Sequence, residues 1–309
     1  MDRDQLKTKR IGVLLGGLSA EREVSLQTGA AVDAALRRRG YRTVQLDMDR
    51  RLCTRLLEAG VEVAFIALHG RYGEDGCVQG LLEVLGIPYT GSGVLASALA
   101  MDKVTCKRLF DAVGIPTAEW CHPADEEAIR RLGLPVVVKP RGEGSSVGLT
   151  VVREPAQIGP ALEQAGGPSR ALAERYIAGR EIAVAVLGHG DDARGLGSVE
   201  IRAAEGLYDY EAKYTRDDTR YLVPAPVPEQ IERRLTELAL QVHRLLGCSG
   251  ATRTDFIWDG AVESEPQALE LNTIPGMTSH SLLPKIAGLQ GMDYDDLVQA
   301  MIEGATLKA

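Results

Sequence analysis

The sequence has no C-x-x-C pair, and its cysteine count is odd, so neither a disulfide framework nor a zinc knuckle is expected. The five histidines show no H-E-x-x-H or other ligand spacing, so any metal site should hold a hard ion through oxygen ligands. This cysteine usage predicts a reducing compartment. The cysteines are Cys53, Cys77, Cys106, Cys121 and Cys248.

Long apolar runs and an excess of positive charge are also missing. No stretch approaches the roughly 20 apolar residues that a membrane helix needs, and residues 1–10 are charged and polar. A cytoplasmic protein without membrane attachment is expected. The net charge of −8 disfavours nucleic-acid binding, which needs clustered Lys and Arg. The single basic run, residues 37–39, is interpreted as the last turn of a helix, where cations complement the helix dipole.

Two common nucleotide-binding motifs do not occur. The absence of G-x-x-x-x-G-K-[ST] excludes a Walker-type site. The G-x-G fragments at Gly91 and Gly142 lack the third glycine and the strand-to-helix context of a dinucleotide fingerprint, which disfavours a dehydrogenase.

The chain has a globular composition and enough length for two or three domains. It contains 309 residues, of which 45% are hydrophobic and 25% charged. Hydrophobic periodicity over the first ninety residues predicts a βαβ sheet domain, with strands at 11–15, 41–46 and 61–68 and a helix at 21–39. Ligands bind such sheets at the carboxyl ends of the strands, which points to residues 16–21 and 69–70.

Two further units follow along the chain. Residues 94–113 predict one or two helices ending at Gly114, and strands at 135–139 and 149–152 flank a Gly/Ser loop. The third unit begins near residue 179. Its predicted strands are 181–187, 197–202, 251–258 and 268–272, and its predicted helices are 229–246 and 293–302.

The Gly/Ser loop at 141–148 is a candidate phosphate site. Its glycines let backbone N–H groups approach phosphate oxygens, and Ser145 and Ser146 add hydroxyl donors. Lys139 ends the Val-rich strand before the loop, where its ammonium group could reach the same phosphates. A plain hairpin turn with a solvated lysine is the alternative interpretation.

Three oxygen-bearing side chains near the C-terminus are candidate magnesium ligands: Asp255, Glu270 and Asn272. Glu270 and Asn272 alternate along one strand and share its face, and a neighbouring antiparallel strand would bring Asp255 beside them. Magnesium prefers one or two carboxylates together with substrate phosphates. Arg253 lies on the face of Asp255 and would stabilise developing negative charge or form a structural salt bridge. A polar, solvated sheet face is the alternative for the whole set.

Glu174 and Glu181 flank the short connection at residues 176–179. This connection is interpreted as an interdomain hinge whose carboxylates accept hydrogen bonds from an adenine amino group and from ribose hydroxyls.

Eight short motifs occur in order between about residues 11 and 302. They are GGLSAEREVS (16–25), ALHG (67–70), GEDG (73–76), YTGSG (89–93), MDK (101–103), VKP (138–140), YDYEAKY (208–214) and NTIPGMT (272–278). Together they resemble the D-alanine:D-alanine ligases of the ATP-grasp superfamily.

The resemblance implies an α/β (α+β) fold with a three-domain ATP-grasp architecture. Its expected parts are an N-terminal βαβ substrate domain at 1–93, a central subdomain at 94–177 and a C-terminal catalytic domain at 178–309, with ATP between the last two. It implies ATP-dependent joining of two D-alanines through D-alanyl phosphate, for peptidoglycan synthesis and hence cell-wall biogenesis and cell shape. It also implies a homodimer and two Mg²⁺ ions, with Mn²⁺ as a possible substitute.

The resemblance also assigns nucleotide and metal contacts. Lys103 and Lys139 would hold the α- and β-phosphates, Lys213 would reach the γ-phosphate, and the Gly/Ser loop would close over them. Glu174 would bind adenine and Glu181 ribose. The full nucleotide set is Lys103, Lys139, Glu143, Ser145, Ser146, Glu174, Tyr176, Ile177, Glu181, Lys213 and Asn272, and the metal set is Asp255, Glu270 and Asn272.

Substrate contacts follow from the same resemblance. Glu21 would pair with the ammonium group of the first D-alanine, and Ser281 and the Leu282 N–H would hold the carboxylate of the second, with His69 nearby. Arg253 and the Gly276 N–H would stabilise the tetrahedral oxyanion. A hydrogen-bonded set formed by Tyr214, Ser145 and Glu21 would link a lid loop at 208–221 to the substrate. The Glu-Ala-Lys-Tyr sequence in that loop resembles the ligases that form a dipeptide, as opposed to those that make ester or D-serine products.

Two other functions stay open. A non-catalytic nucleotide-binding regulatory module would have little reason to combine the phosphate loop with Arg253, the metal set and Lys213. A different ATP-grasp amino-acid ligase is opposed only by Glu21, Tyr214 and Ser281.

Overall fold

The computed structural model describes residues 2–144, 148–202, 219–278 and 281–308. The first ninety residues form a parallel sheet in the order β2-β1-β3, which confirms the predicted βαβ unit. Every position of β3 is buried, as expected for a parallel sheet covered on both faces. The elements are α1 (Arg3–Thr8), β1 (Arg10–Leu15), α2 (Arg22–Arg38), β2 (Arg42–Asp47), α3 (Leu52–Glu58), β3 (Val63–Ile66) and α4 (Cys77–Leu85).

The central part contains a four-stranded sheet in the order β4-β7-β5-β6. The antiparallel β5–β6 pair, with Val136 opposite Val152, is the predicted hairpin around the Gly/Ser loop. The elements are α5 (Val94–Met101), α6 (Lys103–Val113), β4 (Trp120–Cys121), α7 (Glu126–Leu132), β5 (Val136–Pro140), β6 (Thr150–Val152), α8 (Ile158–Gln164) and β7 (Ala171–Arg175).

The C-terminal part is built on an antiparallel sheet in the order β10-β9-β8-β11-β12. Its elements are β8 (Arg180–His189), β9 (Arg194–Arg202), β10 (Arg220–Leu222), α9 (Glu229–Leu245), β11 (Ser249–Trp258), β12 (Gln267–Asn272), α10 (Leu282–Ala287) and α11 (Tyr294–Glu303).

Residues 94–113, for which one or two helices were predicted, form two helices, and the break between them falls at Asp102. The side chain of Asp102 accepts a hydrogen bond from the Thr105 N–H and so caps the N-terminus of α6. Helix α6 ends at Gly114, whose positive φ of 73° suits glycine at this position. The cap fixes the direction of α6, which carries Lys103 as its first residue.

The N-terminal and C-terminal sheets share one hydrophobic core. Val13 and Phe65 of the N-terminal sheet belong to the same buried cluster as Ala183, Leu196 and Ile286. The basic run ends α2 as predicted, and it pairs with acids at the start of α11. Arg38 Nη2 lies 2.6 Å from Asp295 Oδ1, and Arg39 Nη2 lies 2.6 Å from Asp296 Oδ1. No helix in the described ranges has the length and apolarity required to cross a bilayer.

His243 makes the stability of this fold sensitive to acid. The ring is buried between α9 and β11 with Nδ1 2.7 Å from Thr252 Oγ1, and burial lowers the pKa of His243 to about 4. Because the unfolded histidine titrates near 6.5, the unfolded state alone gains a proton as the pH falls from 6.5 to 4. Stability is therefore lost across that window as pH falls.

We expect His243→Asn, which retains an acceptor near Thr252, to flatten this dependence. The acid-induced loss of unfolding free energy between pH 7.5 and 4.5 should be smaller in the variant by roughly 2–3 kcal/mol. Urea unfolding of both proteins at the two pH values measures the difference. Equal losses in the two proteins would contradict the assignment.

Candidate active site

Lys103 connects the start of α6 to the predicted phosphate loop and to β12. Its Nζ donates to the Glu143 carbonyl oxygen at 2.7 Å and lies 3.3 Å from Glu270 Oε2. The backbone N–H of Lys103 donates to the Arg141 carbonyl oxygen at 2.9 Å. A predicted phosphate ligand, the loop and a predicted metal ligand thus meet at one point.

The predicted metal ligands come together across β11 and β12. Asp255 lies directly opposite Glu270, Arg253 lies opposite Asn272, and the register shifts just after Asp255. Asn272 Nδ2 lies 3.3 Å from Asp255 Oδ2. Leu271 is buried whereas its two neighbours are half-buried, which confirms that Glu270 and Asn272 share the open face of the strand.

Arg253 forms the salt bridge that was one of its two predicted contacts. Its Nε and Nη2 donate to the two carboxylate oxygens of Asp255, each at 2.7 Å. Such a bidentate pair fixes the plane of the guanidinium group. The role of Arg253 at an oxyanion stays a prediction.

The donor set on β11 and β12 suits magnesium. It offers two carboxylates and an amide oxygen, the hard ligands that Mg²⁺ accepts alongside phosphate oxygens. Within residues 2–144, 148–202, 219–278 and 281–308, no group of three or more His, Cys, Asp or Glu side chains is arranged to hold a metal.

Lys139 and Glu174 form a buried ion pair on neighbouring strands of the central sheet. Lys139 Nζ lies 2.6 Å from Glu174 Oε2, and Lys107 Nζ lies 2.5 Å from Glu174 Oε1. Burial opposes the charged form of Glu174, but the two ammonium groups outweigh it and lower the pKa of this carboxyl. Burial likewise opposes the charge on Lys139, whereas Glu174 and then Glu270 raise its pKa. Lys139 therefore stays cationic near the acidic set.

The connection at residues 176–179 joins β7 of the central sheet to β8 of the C-terminal sheet, as a hinge would. Tyr176 donates its N–H to the Pro135 carbonyl oxygen at 3.0 Å, and the Arg153 guanidinium lies 5.1 Å from the centre of its ring. Ile177 lies within the connection, and Glu181 lies on β8 opposite Ile257. Glu174 lies inside β7 and is only 3% exposed.

Glu21 lies between the N-terminal sheet and the phosphate loop. A Cβ atom placed on Gly70 would come within 2.5 Å of Glu21 Oε2, and one on Gly144 within 3.3 Å. The Glu21 N–H donates to Ser19 Oγ at 3.2 Å, and Ser19 Oγ donates to the His69 carbonyl oxygen at 2.7 Å. At Gly70, whose φ is 68°, a side chain would also meet an unfavourable backbone conformation, whereas at Gly144 it would only displace the end of the Glu21 side chain.

His69 is buried beside Glu21 at the carboxyl end of the parallel sheet. Its Nε2 lies 3.2 Å from Thr28 Oγ1, and its Nδ1 lies 4.0 Å from Glu74 Oε1. Glu74 also accepts a hydrogen bond from the Gly70 N–H at 2.8 Å. The ring is therefore held by α2 and by the GEDG motif, at the edge where ligands bind this type of sheet.

Ser281 and Gly276 meet at the start of α10. Ser281 Oγ accepts a hydrogen bond from the Thr278 N–H at 2.9 Å, and a Cβ atom on Gly276 would lie 2.8 Å from this oxygen. Leu282 is the first residue of the helix, so its N–H is one of those without an intrahelical acceptor. A carboxylate and an oxyanion could thus be bound by adjacent groups.

Four predicted site residues, Ser145, Ser146, Lys213 and Tyr214, lie outside the described residues, so their assignments stay predictions. One residue was missed. Lys107 follows Lys103 by one helical turn, and this spacing was the only feature of the sequence that pointed to it. It was overlooked because a lysine on a helix is usually solvated.

Comparisons with known proteins identify the family of this chain. Family models described as "D-ala D-ala ligase N-terminus" and "D-ala D-ala ligase C-terminus" match residues 53–92 and 109–303. A D-alanine--D-alanine ligase of Anaeromyxobacter sp. (strain K) is 50% identical over 308 residues, which cover 97% of this chain and 98% of the relative.

Solved structures are similar over almost the whole chain. The crystal structure of a D-alanine--D-alanine ligase from Bacillus anthracis has a TM-score of 0.83 and 36% identity, covering 96% of this chain and 97% of that one. The crystal structure of a D-alanine--D-alanine ligase from Bacillus anthracis complexed with ATP has a TM-score of 0.81 and 33% identity, with the same coverage. The α/β ATP-grasp fold predicted from the motifs is confirmed. Ordered motifs, site geometry and full-length similarity agree, and the chain belongs to the D-alanine:D-alanine ligase family of the ATP-grasp superfamily.

Proposed function

We propose that this protein joins two D-alanine molecules to D-alanyl-D-alanine while it converts ATP to ADP and phosphate. The carboxylate of the first D-alanine attacks the γ-phosphorus of ATP, and ADP leaves. The amine of the second D-alanine then attacks the carbonyl carbon of D-alanyl phosphate, and inorganic phosphate leaves. The product serves peptidoglycan synthesis.

The contact between Lys103 and Glu270 is the observation that carries the proposal. A cation suited to phosphate and a carboxylate suited to magnesium lie 3.3 Å apart, and Asp255 lies opposite that carboxylate on β11. Phosphoryl transfer needs positioning and neutralisation of phosphate oxygens more than covalent chemistry, and this arrangement supplies both.

The nucleotide would lie along the cleft between the central and C-terminal sheets. Lys103 and Lys139 would hold the α- and β-phosphates, and Lys213 the γ-phosphate. Glu143, Ser145 and Ser146 would contribute from the loop above. Magnesium would bind to Asp255, Glu270 and Asn272 and would neutralise the charge on the phosphoryl oxygens. Manganese could take its place. Glu174, Tyr176 and Ile177 would bind adenine and Glu181 ribose.

The amino-acid substrates would lie between the N-terminal sheet and α10. Glu21 would hold the ammonium group of the first D-alanine and so orient its carboxylate for attack. Ser281 and the Leu282 N–H would hold the second carboxylate, beside His69. Arg253 and the Gly276 N–H would donate to the oxyanion as it develops, which lowers the barrier because these donors are already in place.

Several broader features belong to the same proposal. The domains are 1–93 for substrate, 94–177 for the central ATP-grasp subdomain and 178–309 for catalysis, although the core shared by the two outer parts allows little independent motion. Two magnesium ions, a homodimer and a cytoplasmic location follow from the resemblance.

Tyr214, Ser145 and Glu21 would couple the lid loop at 208–221 to the substrate. Closure of this loop would protect the acyl phosphate from water.

The direct test is ADP release by the purified protein with magnesium and ATP, comparing D-alanine, L-alanine and no amino acid. We expect ADP only with D-alanine, together with an equal amount of D-alanyl-D-alanine. ADP formation with another carboxylate and amine would replace the substrate assignment by another ATP-grasp ligation. No ADP with any amino acid would favour a regulatory nucleotide-binding module.

Glu21→Gln tests the first substrate site. The amide cannot form an ion pair with the ammonium group, so the KM for D-alanine should rise at least tenfold, which is about 1.4 kcal/mol of binding. Initial rates across a D-alanine series measure the change. Glu23→Gln, on an exposed side chain two residues later, is the matched control and should leave KM unchanged. An unchanged KM in Glu21→Gln would remove the ammonium assignment.

A further inference from the structure

Lys107 is a fully buried lysine that none of the roles above uses. It lies on α6 four residues after Lys103, so both side chains project from the same face of the helix. The exposed fraction of Lys107 is 0%, and its Nζ lies 2.5 Å from both Glu174 Oε1 and Thr117 Oγ1. A nucleotide in the cleft therefore cannot contact Lys107 directly.

Glu174 is the only carboxylate in ion-pair contact with Lys107 and Lys139 among the described residues. Buried charges are costly unless they are paired, and one carboxylate can be neutralised by either ammonium group. With both lysines protonated, the buried group of two lysines and one carboxylate carries one net positive charge, and Glu174 supports this state against the burial that lowers the pKa of Lys107. Lys139, at the end of β5, is the member nearer to the phosphate loop.

Lys107 also links this group to the strand that carries Glu270. Its ammonium group donates to Thr117 Oγ1, and Thr117 Oγ1 donates to the Ala268 carbonyl oxygen at 2.6 Å. Ala268 lies on β12, two residues before Glu270, and its own N–H donates to the Pro116 carbonyl oxygen at 2.8 Å. The ion pair of Lys107 and these hydrogen bonds therefore join Glu174 to the strand of the metal set.

We propose that Lys107 is a positioning residue of the nucleotide site. It offsets the charge of Glu174, so that the positive charge of Lys139 is left for the phosphates of the nucleotide. This inference rests on the proposed function, in which Lys139 binds phosphate. Without the ammonium group of Lys107, Glu174 would be balanced by Lys139 alone, and Lys139 would be held away from the nucleotide.

Calorimetric titration with ADP and with adenosine, both in magnesium buffer, tests the inference. Lys107→Met should weaken ADP binding about tenfold, or 1.4 kcal/mol, and leave adenosine binding within twofold. Adding Glu174→Gln should restore the ratio of ADP affinity to adenosine affinity, because the competing carboxylate charge is gone and loss of the adenine contact affects both ligands alike. A Lys107→Met protein that binds ADP like the wild type, or that loses ADP and adenosine equally, would overturn the inference.

The Glu174→Gln background provides a test that does not require Lys107→Met alone to fold. In that background Lys107→Met should change ADP affinity less than twofold, and a loss of tenfold or more would contradict the charge argument. Phe110→Leu, at another buried position of α6, controls for reduced stability and should lower Tm without affecting the ADP to adenosine ratio.

Failure of the inference can be told apart from failure of the proposed function. Loss of ADP affinity in Lys139→Met but not in Lys107→Met would overturn only the role of Lys107. Wild-type protein that does not bind ADP would overturn the proposed function, and the inference with it.

Discussion

Glu270→Gln should lower kcat at least a hundredfold while the protein stays folded. The substitution preserves the size of the side chain but removes the negative charge that would bind magnesium and that lies 3.3 Å from Lys103 Nζ. A carboxylate lost from a phosphoryl-transfer site is expected to cost about 3 kcal/mol or more of transition-state stabilisation. The measurement is ADP release at saturating D-alanine and ATP, with a magnesium titration beside it.

A matched control separates loss of the proposed metal ligand from a general effect of removing one negative charge. Glu263→Gln removes the same charge from an exposed side chain before β12, and its kcat should match that of the wild type. Thermal unfolding of both variants checks that the fold is retained. Near-normal turnover in Glu270→Gln would remove the metal assignment on β12, although the ATP-grasp fold would still stand.

Arg253→Lys should lower kcat by about a hundredfold to a thousandfold with a smaller effect on the KM for ATP. Lysine keeps the positive charge but lacks the planar fork that donates to both oxygens of Asp255. The donor would then lose its fixed orientation, and removal of one oxyanion donor costs about that much in kcat. Steady-state kinetics in both substrates measures the split between kcat and KM.

The control for this prediction is Arg202→Lys. Arg202 also forms a bidentate pair, with Glu200 at the end of β9, but on a more exposed side chain. Its kcat should stay within a factor of two of the wild type. If Arg253→Lys changed the KM for ATP and left kcat intact, Arg253 would have a ground-state binding role in place of the oxyanion role.

The predictions from sequence were most successful where a local pattern carries the information. Alternation along β12 correctly predicted that Glu270 and Asn272 share one face, because successive strand residues point to opposite sides of a sheet. The same rule correctly predicted that Arg253 and Asp255 would be neighbours. Strand β7 was missed. Its five residues, ALAER, are too few and too uniformly apolar before Glu174 to show the two-residue alternation of a strand.

The contacts between distant parts of the chain needed the structure. Nothing in the sequence around Lys107 shows that it is buried against Glu174, since burial of a lysine depends on how α6 packs against two sheets. The approach of Glu21 to Gly70 and Gly144 joins three segments that are far apart in sequence. The antiparallel bridge between Tyr89 and Thr306 places the end of the chain against the N-terminal sheet.

The sequence by itself determined the fold class, the order of the motifs and the kinds of side chain available for phosphate and for magnesium. These properties are local, because they depend on residue type, spacing and the period of a strand or helix. The tertiary structure alone decided which charges are paired, above all that Glu174 is shared between Lys107 and Lys139. That choice depends on burial, which raises the cost of an unpaired charge and is set only when separate elements pack together.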